Sequence, residues 1–295
     1  MITKADSTIP VNTLTLADSA YAAVFEGILP AVKTLYVRSD NLPDLLTRPR
    51  VAIVGSRKVS PYGRAVTAQF AGDLARQGIV IVSGLAYGVD AIAHQAALDA
   101  GGLTIAVLPS SVEKVYPAAH TELARRIVGQ GGALMSEYPA AASIAYKNQF
   151  IERNRIVSGM SNVLLITEAA INSGTMHTAR FALEQGKDVL AIPGNITSAT
   201  SAGTNNLIKA GAAPATSPED VLALLGLKPL HVAAKSIGGT AHEQLILDLL
   251  SSDISDGDQL LAGTALPIDQ FNHALTMLEL TGKVRALGAN KWSLN

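Results

Sequence analysis

Between Val51 and Leu225 the chain repeats one unit: an uninterrupted apolar run, a turn of small residues, and an amphipathic stretch closed by glycine. VAIVG (51–55) is followed by SPYGRAVTAQFAGDLARQG, where Val66, Phe70 and Leu74 recur every four residues before Gly78. IVIVSG (79–84) leads into DAIAHQAALDAG, and LTIAVLPS into HTELARRIVGQGG. After ALMSEY and the segment KNQFIERNRIVSGMS (147–161) come NVLLITEA with GTMHTARFALEQG, and DVLAIPG with GTNNLIKAG. A four-residue apolar period ending in glycine predicts helices, and Val/Ile/Leu runs without polar alternation predict strands covered on both faces. The fold class that follows is α/β, a mostly parallel sheet with helices on both faces.

The pattern changes after SPEDVLALLG, where Ser217 is placed to cap a helix, Pro218 to occupy its first turn and Gly226 to stop it. KPLHVAAKSIGGT has no sustained period and reads as a linker over 228–239. EQLILDLLSSDI, GDQLLAGTAL and PIDQFNHALTMLELTGKV then give three short helical patterns, and VRALGANKWSL a glycine-containing hairpin. Three helices and a hairpin over 240–295 predict a winged-helix domain. Residues 1–32 read as an N-terminal extension and 33–227 as the sheet domain.

Composition narrows the chemistry. At 48% apolar, the 295 residues can bury a sizeable core. The absence of Cys removes disulfides, thiolate metal sites and a cysteine nucleophile, and agrees with a reducing compartment. MITKADSTIPVNTLTL lacks a basic stretch before an apolar core, and no segment has the roughly 18 unbroken apolar residues of a membrane span. A cytoplasmic protein is expected. The net charge is 0 for residues 1–50, +1 for 51–225 and −2 for 226–295, so a surface for phosphates has to be a local patch. Neither GxxxxGK[ST] nor a GxGxxG after the first strand of the repeat is present, and the six histidines show no metal-ligand spacing with carboxylates. No cofactor or metal is expected. Asp90 and His94, four residues apart, read as a helix-start residue and its packing neighbour, and Glu168 as a carboxylate just past its strand with no second acid or nucleophile beside it.

In a parallel sheet the ligand crevice lies beyond the carboxyl ends of the strands, beside helix N-termini. Four such ends carry small residues: Gly55-Ser56-Arg57, Ser83-Gly84 running to Gly88, Ser173-Gly174-Thr175, and Pro193-Gly194-Asn195. Glycine admits a phosphate close to the backbone and Ser or Thr adds a hydroxyl, so several such ends on one rim fit a ligand with several phosphates. Phe150, framed by Lys147 and the triplet Arg153-Asn154-Arg155, is compatible with a core plug or with a platform for a nucleic-acid base.

GSRKVSPYG (55–63), SGLAYGVDAIAH (83–94), Tyr116-Pro117, SEYP (136–139), FIERNRIVSGMS (150–161), EAAINSGTMHTARFALEQG (168–186) and IPGNITSATSAGTNNLIKAGA (192–212) resemble, in order, the motifs of the DNA-processing protein A family, DprA/Smf. The resemblance runs from about Lys33 to Leu225, and the C-terminal pattern is similar to that family's winged helix. It implies an extended Rossmann-like domain that binds single-stranded DNA, forms homodimers and loads the RecA recombinase in natural transformation, without being an enzyme. Carried over by position, Arg57, Lys147 and Phe150 match the family's DNA pocket, with Gly55 and Ser56 giving backbone contact. Arg153, Asn154 and Arg155 match its Arg-Asn-Arg element, in which Arg153 faces DNA while Asn154 and Arg155 do the same or hold the fold by pairing with backbone carbonyls.

Departures from the family pattern are local. Ile151-Glu152 stands where a proline usually follows the phenylalanine, LPSSVEKVYP has serines in place of a glycine turn, and TMHT (175–178) puts His177 near the rim. About 30 residues precede the first matched strand, so the extra N-terminal helical domain of longer members is not expected. The third helical pattern of the winged helix, Pro267–Gly282, contains no Lys or Arg, which points to a protein partner rather than duplex DNA. Two rival readings remain: a nucleotide phosphoribohydrolase of the lysine-decarboxylase-like group, echoed loosely by Glu168 and Ser173-Gly174-Thr175 but without its PGG turn, and an interaction protein using the sheet domain only as scaffold.

Overall fold

The computed structural model describes residues 9–15, 21–141, 147–228, 239–252, 254–288 and 290–294. The chain divides into two units, Met1–Leu230 and His231–Asn295. The first is built on nine strands: β1 (Val11–Thr15), β2 (Thr34–Arg38), β3 (Arg50–Gly55), β4 (Val80–Ser83), β5 (Thr104–Val107), β6 (Ala133–Ser136), β7 (Val163–Glu168), β8 (Asp188–Ala191) and β9 (Ala213–Pro214). Its helices are α1 (Leu42–Thr47), α2 (Pro61–Arg76), α3 (Val89–Asp99), α4 (Thr121–Gly129), α5 (Lys147–Gly159), α6 (Thr175–Glu184), α7 (Ala202–Lys209) and α8 (Pro218–Leu224).

The strands lie in the order β1-β2-β6-β5-β4-β3-β7-β8-β9. From β6 to β9 all neighbours are parallel, while β2 runs antiparallel to both β1 and β6. The parallel part begins at β3, winds outward through β4, β5 and β6, then returns to β3's other side and winds outward through β7, β8 and β9. Helices that diverge from this switch point leave a crevice between the carboxyl ends of β3 and β7.

The continuous apolar runs are explained by burial on both faces. Val51 and Ile53 of β3 pack with Phe70 and Leu74 of α2 and Ala93 and Ala97 of α3, whereas Ala52 and Val54 face Ile156 and Val157 of α5 and Ala179 and Ala182 of α6. Leu74 is fully buried, worth about 1.5–3 kcal/mol in transfer alone, and truncation to Ala costs about 2–5 kcal/mol with its cavity included. Ser60 starts α2 by accepting the Gly63 amide on its hydroxyl (3.0 Å).

The sheet reaches further upstream than the Lys33 boundary suggests. Val11–Thr15 pairs with Thr34–Arg38 in full register, and Phe25 and Ile28 join the core. The short strand TLYVR alternates half-buried and buried residues, as a strand near a sheet edge does. KNQFIERNRIVSG, not assigned to an element from its periodicity, is a helix.

The second unit contains α9 (Ala241–Ser251), α10 (Gly257–Thr264), α11 (Ile268–Leu280) and the hairpin β10 (Val284–Gly288) and β11 (Lys291–Leu294), a winged helix. Thr240 caps α9 through the Glu243 amide (3.2 Å), and Asp256 caps α10 through the amides of Asp258 and Gln259 (3.1 Å each). Ile246, Leu260, Phe271, Leu275, Leu278 and Val284 form its core. Most of the expected linker, residues 229–238, lies outside the described residues. Among the described residues no helix is long and apolar enough to cross a membrane.

Candidate nucleic-acid interface

The loop after β3 is pinned from two sides. The Ser56 amide donates to the Glu168 carbonyl at the end of β7 (2.7 Å), and the Ser56 carbonyl accepts the Val89 amide at the start of α3 (3.1 Å). Gly88 makes the second contact possible: its φ is +79°, and a Cβ there would lie 2.2 Å from the Ser56 carbonyl oxygen. The Ser56 hydroxyl closes the turn by donating to the Lys58 carbonyl (2.9 Å) and accepting its amide (3.1 Å). The backbone is thus held rigidly while the side chains of Arg57 and Lys58 stay exposed.

Phe150 is positioned by its own helix. One turn further along α5, Arg153 is buried and its guanidinium donates to the carbonyls of Gly84 and Val107 at the ends of β4 and β5. Gly84 has no room for a side chain, because a Cβ would meet that guanidinium at 2.3 Å. Asp90, near the start of α3, accepts the amides of Gly84 (3.2 Å) and Ala86 (3.3 Å) and offsets the charge of Arg153. Burial pushes the Asp90 carboxyl up, against the pull of Arg153. Arg153 is lowered to about 10, by burial first; Asp90 opposes that fall and nearby Arg57 adds to it. A buried charge with two carbonyls and a carboxylate around it is a clamp, which fixes α5 against the strand ends.

Above this clamp the Arg57 guanidinium sits 5.1 Å from the centroid of the Phe150 ring, within cation–π range. Tyr116, after β5, meets Phe150 edge-on at 5.4 Å between centroids and 76° between planes. These three side chains line an open cavity of about 870 Å³ at the switch point, as do Ser173, Gly174, Thr175 and His177, at and just before the start of α6. Gly55, Ser56, Lys58, Asp90, Arg153 and Asn154 also line it. The cavity combines an exposed cation on an aromatic ring, a second exposed cation and hydroxyls: the chemistry for a flexible polyanion that also has flat apolar faces.

The structure therefore brings Gly55, Ser56, Arg57, Phe150, Arg153, Asn154, Ser173, Gly174 and Thr175 to one cavity. Lys147 is the first residue of α5, three positions before Phe150. Ser83 lies elsewhere: it is fully buried and its hydroxyl donates to the Ile53 carbonyl (2.7 Å). Gly84 contributes its carbonyl and amide to the clamp and borders a narrow side cleft beside Arg57. Arg155 turns from the cavity to Glu137, its Nη2 donating to both carboxylate oxygens (2.8 Å each), and Asn154 accepts the Arg153 Nε (3.1 Å). Pro193-Gly194-Asn195 borders a separate cavity with Ser60 and Tyr62.

Other singled-out residues find plain structural partners. Asp90 is a first-turn residue of α3, as expected. His94 is fully buried against the Thr104 hydroxyl (2.6 Å), which itself donates to the Ile81 carbonyl (2.7 Å), so His94 Nδ1 carries the proton. Burial above all, then Arg153 and His120, holds its pKa down to about 3. Glu168 is buried away from the cavity, accepting the Ser60 amide (3.0 Å) and hydroxyl (3.1 Å). Gly63 leaves it room, since a Cβ there would lie 1.7 Å from Oε2. Ser111 closes its own turn by accepting the amides of Glu113 (3.2 Å) and Lys114 (3.3 Å). Ile151 lines the cavity, whereas Glu152 accepts the Tyr138 hydroxyl (2.8 Å) outside it. The site residues that reading residue by residue did not single out are Lys58 and Tyr116; the one signal for the second was the Tyr-Pro pair following a strand.

Fold and site together define a Rossmann-like sheet protein with a cationic, aromatic crevice at its switch point, joined in one chain to a winged helix. Residues 12–226 match the family model for DNA recombination-mediator protein A, and residues 233–290 match the DprA winged helix domain. The chain belongs to this DprA/Smf family. Protein Smf of Escherichia coli is 39% identical over 248 residues, covering 81% of this chain and 66% of that protein, so the match spans a little under two thirds of the relative's length. The X-ray structure of DprA from Streptococcus pneumoniae superposes with a TM-score of 0.67 at 38% identity, covering 73% of this chain and 74% of that one. DNA processing protein A from Helicobacter pylori, whose structure is described for its single-stranded DNA binding mode, gives a TM-score of 0.65 at 33% identity, covering 74% and 97%.

Proposed function

We propose that the chain binds single-stranded DNA in the switch-point crevice and acts as a recombination mediator that protects incoming strands and hands them to RecA in natural transformation. The observation that carries the reading is Arg57 stacked on Phe150 above a buried clamp. An unpaired strand presents phosphates and base faces together, and this pair offers a cation and a ring together. Lys58 extends the cationic edge, and Lys147 begins the same helix as Phe150. A duplex keeps its base faces stacked inside and cannot use the ring.

Non-enzymatic action fits the placement of the carboxylates: Glu168 is buried outside the crevice, and Asp90, which lines it, is engaged by the Gly84 and Ala86 amides. Homodimer formation and a cytoplasmic location complete the proposal, with residues 33–227, joined by the β1 strand and the upstream core residues that pack with them, as the DNA-binding domain, 228–239 as linker and 240–295 as a protein-binding module.

The test is a gel-shift competition followed by a RecA assay. Labelled oligothymidine should be retained by the chain and scarcely displaced by duplex, and the chain should raise RecA's ATP hydrolysis on strands already covered by single-strand-binding protein. Equal competition by duplex would contradict the first part; an unchanged RecA rate would contradict the second.

A further inference from the structure

Tyr62, Tyr87 and Tyr116 are the three tyrosines that stand clearly exposed among the described residues, at 47%, 49% and 41%. Two of them, Tyr87 and Tyr116, border one narrow side cleft that opens from the crevice, together with Arg57, Gly84 and Phe150. Exposed aromatic surface is costly to leave in water, and this chain is only 4% aromatic, so the pairing calls for a cause.

Both rings are already braced. Tyr116 meets Phe150 edge-on at 5.4 Å, and Tyr87 meets His120 at 4.9 Å and 65°. His120 is itself fixed, its Nδ1 lying 2.8 Å from the carbonyl of Leu85, a fully buried residue held at φ +57°. Rings held in place before a ligand arrives lose little freedom when it binds. Among the described residues neither tyrosine hydroxyl has a hydrogen-bond partner, so each remains available to a ligand. The one charged side chain lining the cleft is Arg57, which also covers Phe150.

From this geometry we infer that Tyr87 and Tyr116 form a second stacking platform, which takes the unpaired base next to the one on Phe150. Arg57 lies at the junction and holds the phosphate between the two nucleotides. The cleft is narrow, so the second base lies against the rings at its mouth and does not enter it. Two adjacent bases on separate ring surfaces have to be unstacked from each other, which a paired strand resists; the platform thus sharpens selection of single strands. The inference rests on the DNA-binding reading above and adds a subsite to it.

The test uses the full chain and short oligothymidines carrying one base-free nucleotide at successive positions, followed by fluorescence anisotropy. Wild type should lose affinity at two neighbouring positions. Tyr87→Ala with Tyr116→Ala should weaken the intact oligonucleotide by about 5- to 100-fold and abolish the penalty at one of those positions, while Phe150→Ala abolishes it at the other. Both tyrosines are exposed, so thermal unfolding should be unchanged. Tyr→Phe at both positions should retain affinity, and the salt dependence should stay that of wild type, because a ring displaces no counterions. Wild-type affinity in the double Ala variant, beside a clear loss in Phe150→Ala, would overturn the platform and leave the Phe150 site standing. Failure of wild type to bind, or of Phe150→Ala to weaken binding, would overturn both.

Discussion

The two units meet the same demand, a packed core with a usable surface, in opposite ways. The sheet unit places Arg57 and Lys58 on a loop that is pinned to neighbouring strands and helices, and sets one of them on an aromatic ring. The winged helix has the outline of a duplex reader, yet Pro267–Gly282, which contains α11, carries no Lys or Arg, and Met277 and Leu280 stand exposed on it. Outline alone therefore does not assign a nucleic-acid surface; fixed cations beside an available ring do. In the sheet unit that fixing is done underneath, by the buried Arg153.

The contrast is broken most severely at the glycines beneath the crevice. Gly88→Ala combines a strained positive φ with a Cβ on the Ser56 carbonyl and should cost about 2–5 kcal/mol of stability in the sheet unit. Gly84→Ala should act likewise by displacing the Arg153 guanidinium. Denaturant unfolding of the two variants checks both, and a loss below about 1 kcal/mol in each would show that the pinned loop is not tight.

Acid sharpens the contrast next. His94 titrates at about 3 in the fold against 6.5 as the ordinary value, so its contribution is fully present above pH 6.5 and is lost as the pH falls toward 3. The slope is at most about 1.4 kcal/mol per pH unit, from this one proton. His94→Gln should flatten that limb of the stability curve for the sheet unit.

Phe150→Ala should then weaken single-strand binding by about 1–3 kcal/mol with an unchanged salt slope. Arg57→Ala should lower the slope of log affinity against log salt by about 0.7, the share of one phosphate contact on a single strand. The smallest effect is expected for the isolated winged helix mixed with duplex DNA at physiological salt, where no measurable binding should occur; a clear complex would remove the contrast between the units.

Much of the scaffold was legible because burial on both faces leaves its mark on every residue of a strand. VAIVG, IVIVSG and NVLLITEA each became a central strand, and the three C-terminal helical patterns became a winged helix. VNTLT and TLYVR were missed, since a strand at or near a sheet edge shows only weak alternation and its partners are set by pairing across the sheet. The site was legible in residue type and less so in role. Arg153 and Arg155 flank one asparagine, yet one clamps two carbonyls beneath the crevice and the other pairs with Glu137, a distinction made by tertiary packing. Tyr116 reaches Phe150 from a loop 34 residues away in sequence, which no local period encodes.

The central claim is that Arg57 and Phe150 act as one cation-and-ring unit on an unpaired strand. A double-mutant cycle tests it most directly: anisotropy of labelled oligothymidine with wild type, Arg57→Ala, Phe150→Ala and the double variant at two salt concentrations. Cooperation predicts that the double variant loses less than the sum of the single losses, by about 0.5 kcal/mol or more, because each group supports the other's contact. Strictly additive losses, or affinities equal to wild type in both single variants, would contradict it.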